Sequence, residues 1–163
     1  MDKTEFNQLM EHLRPKLYRF ALAFTKRTDE AEDVAQEVGI RLWERRDELE
    51  VLRSVEAYAM SAVRNRCLDN ARSPHRRMDE LTEIHDAAHG QTPHERLEQT
   101  DMAAFVRRLI NRLPEQQQMV IRLRDVEGYE LDEIAGILGI NDGAVRTALS
   151  RARQKIRDEL LKQ

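Results

Sequence analysis

Apolar residues recur every three or four positions from the start of the chain: Phe6, Leu9, Leu13, Leu17, Phe20 and Phe24. That spacing places them on one side of a helix. Pro15 lies inside the run, and its missing N–H predicts a kink or a split into two short helices. Thr28 reads as the next N-cap, with Asp29 and Glu30 in the first turn, where the helix dipole favours acids. The helix it opens should reach about Asp47 and turn Ala31, Val34, Ala35, Val38 and Leu42 inward. A loop over 48–53 leads to Ser54 as a cap. A third helix over 55–72 should bury Val55, Tyr58, Ala59, Ala62 and Val63 before Ser73-Pro74 stops it.

From residue 75 to about 95 the periodicity dissolves into polar and acidic residues punctuated by Gly90 and Pro93, the pattern of a flexible linker. Apolar spacing resumes at Met102, Phe105, Val106, Leu109, Ile110 and Leu113. Pro114 ends that helix and suits the first position of the next, which carries Met119, Val120 and Leu123. A turn at Glu127-Gly128 precedes two more helices. Strand patterning is absent, so an all-α fold is expected, with helical domains over 1–74 and 99–163 and a linker over 75–98.

Composition agrees with that class: charged residues make up 35%, aromatics 5%, and there are six glycines and four prolines in 163 residues. The net charge of −3 conceals a local imbalance. Residues 79–99 hold six acids against Arg96, whereas residues 144–157 hold five bases and no acid. A global pI near 6.0 therefore does not argue against nucleic-acid binding. Cys67 is the single cysteine, which excludes an intrachain disulfide and a cysteine-based zinc site. The N-terminal residues lack the basic-then-apolar layout of a signal peptide, and no apolar run approaches a membrane span. A soluble, cytoplasmic protein without membrane insertion is expected.

The strongest chemical signal lies in residues 131–160. Leu131, Ile134, Ala135 and Leu138 form the stripe of a short helix. Gly139 suits the left-handed turn that ends it, Ile140 is expected to be buried in the turn, and Asn141 caps a longer helix. That helix turns Val145, Leu149, Ala152, Ile156 and Leu160 to one side. Gly143, Thr147, Ser150, Arg151 and Gln154 lie opposite, flanked by Arg146, Arg153 and Arg157. Short helix, turn, and longer helix with a basic outer face constitute a helix-turn-helix. Arginine there can read guanine edges or bind phosphates.

Two further faces stand out. On the helix beginning near Thr28, Asp33, Gln36, Glu37, Ile40 and Glu44 oppose the apolar side. Ile40 among acids and an amide suits a small protein-docking surface, although isolated exposed apolar residues are ordinary. On the third helix, Ser61, Arg64, Asn65, Leu68 and Arg72 form a stripe that suits base edges or phosphates, and equally a solvated face.

These residues together resemble the extracytoplasmic-function class of the sigma-70 family of bacterial transcription factors. Leu17-Tyr-Arg-Phe-Ala-Leu-Ala-Phe, Asp29-Glu-Ala-Glu-Asp-Val-Ala-Gln-Glu, Leu42-Trp-Glu-Arg-Arg and Val63-Arg-Asn-Arg-Cys-Leu-Asp-Asn-Ala-Arg are similar to conserved region 2. Leu113-Pro-Glu-Gln-Gln, Glu133-Ile-Ala and Val145-Arg-Thr-Ala-Leu-Ser-Arg-Ala-Arg are similar to region 4. The resemblance implies a factor that binds core RNA polymerase and promoter DNA and is held by an anti-sigma protein. It implies polymerase docking by Asp33, Gln36, Glu37 and Ile40. Recognition of the −10 element falls to the loop 50–54, with Arg53 and Ser54, and to Arg64, Asn65 and Arg72. Recognition of the −35 element falls to Arg124, Arg146, Thr147, Ser150, Arg151 and Arg153. Two departures imply an altered −35 contact set: Glu130 and Leu131 stand where a serine and an aromatic are usual, and Ala148 replaces a frequent arginine, trimming the basic face.

Two other readings compete. A stand-alone helix-turn-helix regulator explains residues 131–160 and leaves the Asp33/Gln36/Glu37/Ile40 face without a purpose. A metal-dependent enzyme would use His85, His89, His94 and Asp86, but those residues sit in the linker, where no rigid surroundings orient ligands. There is no phosphate-cradling glycine loop and no nucleophile–base pair, so neither catalysis, a metal nor a cofactor is expected.

Overall fold

The computed structural model describes residues 1–52, 54–71 and 101–162. Every regular element among them is helical. The chain divides into two compact units, Met1–Gly90 and Gln91–Gln163. The expected linker over 75–98, both of its boundaries and the histidines His85, His89 and His94 lie outside the described residues.

Among the described residues, the first unit packs three α-helices: α1 (Lys3–Thr25), α2 (Thr28–Glu44) and α3 (Val55–Ala71). Asp2 starts α1 by a reciprocal cap. The Glu5 N–H donates to Asp2 Oδ1 at 2.8 Å, and the Asp2 N–H donates to Glu5 Oε2 at 3.2 Å. Pro15 does not split α1, which runs through it as one helix. Pro15 and Glu11, whose carbonyl loses its usual donor, are both exposed, so water can serve that carbonyl. Leu13 and Leu17, on either side, are fully buried and hold both halves of the helix to the same core.

Thr28 is not the cap of α2. Arg27 takes that position in extended conformation, and Thr28 is the first helical residue. The chain turns one step earlier than expected because Lys26 adopts a left-handed conformation (φ 58°) and the buried Thr25 braces the turn. The Thr25 Oγ1 hydroxyl donates to the Arg27 carbonyl at 3.1 Å. α2 ends at Glu44, three residues short of expectation, and a 3-10 turn over Leu49–Val51 carries the chain on to α3. Ser54 caps α3 as expected, its Oγ accepting from the Ala57 N–H at 3.1 Å.

The buried side of α3 differs from the expected one. Ala59, Met60, Val63 and Cys67 are buried, while Val55, Tyr58 and Ala62 are only half-buried. α3 packs against both α1 and α2, so its buried arc is set by two neighbours rather than one. Polar side chains stitch the same joints. Lys16 Nζ on α1 donates to Glu56 Oε1 on α3 at 3.0 Å, and Arg45 Nη1 donates to the Tyr58 hydroxyl at 3.1 Å.

The second unit contains α4 (Asp101–Asn111), α5 (Glu115–Ile121), a π turn (Arg122–Val126), α6 (Leu131–Leu138) and α7 (Asp142–Leu161). Pro114 is the cap of α5 rather than its first residue. Met119, Val120, Leu123, Ile134, Leu138, Val145, Leu149 and Ala152 are buried as their spacing predicts. Met102 is exposed and does not extend the stripe of α4. Gln118, whose polarity hid it from the apolar count, is buried and donates Nε2 to the Ile110 carbonyl at 3.1 Å, tying α5 to α4.

Candidate functional site

The helix-turn-helix is built as its residues dictate. Gly139 ends α6 in left-handed conformation (φ 67°), where a Cβ would be strained. The Asn141 Oδ1 accepts from the Ala144 N–H at 2.8 Å and starts α7. Ile140 is half-buried in the turn rather than buried. Gly143, Arg146, Thr147, Ser150, Arg151, Arg153, Gln154 and Arg157 are all exposed on α7. Arg146, Ser150, Arg153, Gln154 and Arg157 line an open groove floored by Leu149.

Ala148 does not belong to that face. It is 5% exposed and lies with Val145 and Ala152 on the buried side, three or four residues from each, so it trims nothing from the basic surface. Among the −35 candidates, Arg146 and Arg151 carry no ion pair among the described residues. Arg153 is held by Asp125 of the π turn, and this contact raises the pKa of its guanidinium. Arg124 is half-buried, donates Nη1 to the Tyr129 carbonyl at 2.9 Å, and lies 3.6 Å from Glu130 Oε2. Glu130, the residue that departs from the usual serine, is the cap of α6, and its backbone N–H donates to Glu133 Oε1 at 3.2 Å.

In the first unit α2 presents Asp33, Gln36, Glu37 and Ile40 on one face. Asp33, Gln36 and Ile40 are exposed, Ile40 by 58%. Glu37 is half-buried because Arg66 of α3 grips it, Nη2 donating to Oε1 at 3.2 Å. Ile40 is thus an exposed apolar residue on a polar helix face, backed by the buried Val34, Ala35 and Val38.

The −10 candidates are only partly brought together. Arg64 and Asn65 are neighbours on α3, Arg64 Nη1 donating to Asn65 Oδ1 at 3.2 Å. Ser54 Oγ accepts the cap hydrogen bond of α3. Arg53 and Arg72 lie outside the described residues. Unforeseen is Val51, 84% exposed at the end of the 3-10 turn beside the exposed Leu52. Two adjacent apolar residues in a charged loop were the available signal. Asp125 and Arg66 were equally unforeseen, because their partners lie 28 and 29 residues away.

Comparison with known proteins identifies both units. Residues 9–77 match the family model described as Sigma-70 region 2, and residues 106–156 match Sigma-70, region 4. The probable RNA polymerase sigma factor RfaY of Xanthomonas campestris is 33% identical, over 86% of this chain and 36% of that protein. The ECF RNA polymerase sigma factor SigE of Mycolicibacterium smegmatis is 29% identical, over 96% of this chain and 62% of that protein. The chain thus spans about a third of the first relative's length and under two thirds of the second's. Among solved structures, the sigma factor RpoE of Bartonella quintana, in complex with the anti-sigma factor NepR, is 25% identical with a TM-score of 0.71. That likeness covers 97% of each chain. With a region 2 unit followed by a region 4 unit, and extracytoplasmic-function factors among its relatives, the chain belongs to the sigma-70 family in its extracytoplasmic-function class.

Proposed function

We propose that the protein is a transcription initiation factor that binds core RNA polymerase and directs it to promoters by recognising −10 and −35 elements. The observation that carries this reading is the presence in one chain of two exposed surfaces on different helices. One is the acid-amide-isoleucine face of α2, and the other is the basic, small-residue face of α7. A stand-alone DNA-binding regulator needs only the second.

The chemistry divides accordingly. Asp33, Gln36 and Glu37 surround Ile40 and would meet basic and amide groups on the polymerase, with Ile40 covering an apolar spot. On α7 the exposed Gly143 and Thr147 leave room for the helix to enter the major groove, where Arg146 and Arg151 reach base edges or phosphates. Arg64 and Asn65 supply donors and an acceptor for the −10 strand. Val51 and Leu52 offer an apolar surface against an unstacked base, and capturing such a base costs a few kcal/mol that these contacts must offset. The protein itself catalyses nothing, nucleotide addition belonging to the polymerase. Its place is the cytoplasm, and no described helix is long and apolar enough to cross a membrane. The resemblance to RpoE, solved with an anti-sigma factor, supports an anti-sigma partner for this chain as well.

Size-exclusion chromatography with bacterial core polymerase tests the reading. The wild type is expected to co-migrate with core, and an Asp33→Ala/Gln36→Ala variant is expected to do so weakly. A folded wild type that never co-migrates would instead assign the chain to the stand-alone regulators.

A further inference from the structure

The DNA-reading face of α7 is edged by an acid from a different element. Asp125, in the π turn, accepts from two donors along one edge of Arg153: Nε to Oδ2 at 3.1 Å and Nη2 to Oδ1 at 2.6 Å. This two-point fork is the strongest way a carboxylate can hold a guanidinium. Both side chains remain substantially exposed, 47% for Arg153 and 38% for Asp125, and pairs of that kind contribute little to stability. What the pair does change is the availability of Arg153. The basic run over 144–157 contains no acid, and the π turn supplies one from outside the helix.

We infer that Asp125 sets the specificity of DNA recognition by withholding Arg153 from phosphate binding. Phosphate contacts dominate sequence-independent affinity and carry no sequence information. Removing one cation from that set lowers binding to arbitrary DNA. Discrimination then rests with Arg146, Thr147, Ser150 and Arg151, which have no such acid against them. The inference rests on the assignment of α7 to DNA reading, and it makes Asp125 a positioning residue that acts through Arg153.

The test uses the full chain and a short duplex of scrambled sequence, with affinity followed by fluorescence anisotropy across a salt series. Each phosphate contact contributes about 0.9 to the slope of log affinity against log salt. Asp125→Asn is expected to steepen the slope by about that amount. Held by Asp125, Arg153 makes no phosphate contact, contrary to the −35 role the resemblance implies for it, so Arg153→Gln alone should leave the wild-type slope unchanged, and the double variant should return to it. Asp158→Asn on the same helix removes an equal charge without releasing an arginine, and should shift affinity without a comparable change in slope.

A wild-type slope in Asp125→Asn overturns the inference, as does a shallower slope in Arg153→Gln. Should Asp125→Asn fail to fold, the Arg153→Gln slope decides alone. Failure of every form to bind duplex DNA at any salt overturns the assignment of α7 itself, a result distinct from binding with unchanged slopes.

Discussion

Arg66 on α3 holds Glu37 on α2, so one carboxylate of the proposed α2 docking face is already paired within the first unit. Asp33, on the same face, is exposed and carries no ion pair among the described residues. Asp33→Ala is therefore expected to weaken core-polymerase binding more than Glu37→Ala, as measured by competition for core. The opposite order would mean that Glu37 abandons Arg66 on docking. Because both partners are more than a third exposed, Arg66→Met should change the unfolding free energy by less than about 1 kcal/mol.

Pro15 lies inside an unbroken helix on its exposed side, where it forfeits a backbone hydrogen bond. Pro15→Ala is expected to stabilise the first unit by about 1–3 kcal/mol, since alanine restores the bond and the helical preference. Urea unfolding followed by the fluorescence of Trp43 reads this unit. A loss of stability would show that the packing of α1 depends on the proline itself.

Gly139 and Asn141 make the turn that sets α7 against α6. Gly139→Ala places a Cβ at positive φ, and Asn141→Ala removes the cap; each should cost about 1 kcal/mol or somewhat more. Hydrogen exchange of the α6 and α7 amides localises the effect. Faster exchange confined to these two helices is the expected result, and uniform protection would show that the turn relaxes without cost.

Ala148 tests where the proposed DNA face ends. Its burial predicts that Ala148→Arg overpacks the second unit and destabilises it by about 1–3 kcal/mol. Thermal melting and promoter binding, measured together, separate the possibilities. Tighter promoter binding at unchanged stability would place residue 148 on the DNA side after all.

Much of the fold was legible because its helices are amphipathic and punctuated. The stripe Ala31/Val34/Ala35/Val38/Leu42 is buried as its spacing predicts, and Ser54, Gly139 and Asn141 act as turn and cap residues. A residue's place on a helix follows from 3.6-residue periodicity, so the exposed faces of α2 and α7 could be read as well. The helix-turn-helix, the acid-amide-isoleucine cluster and the family resemblance are all consequences of local order along the chain.

Periodicity does not report which other helix lies opposite, and there the tertiary structure decided. α3 serves two neighbours, so Met60 and Cys67 joined its core while Val55 and Tyr58 stayed half-buried. Pro15 remained in the helix because Leu13 and Leu17 bind both halves of α1 to one core, a force larger than local propensity. Long-range pairing also chose the partners of the charged residues. Arg66 found Glu37, and Arg153 found Asp125, across 29 and 28 residues. The sequence by itself determined which residues are displayed; only the packing determined which displayed charges are already spoken for, because an ion pair depends on distance in space and periodicity measures distance along the chain.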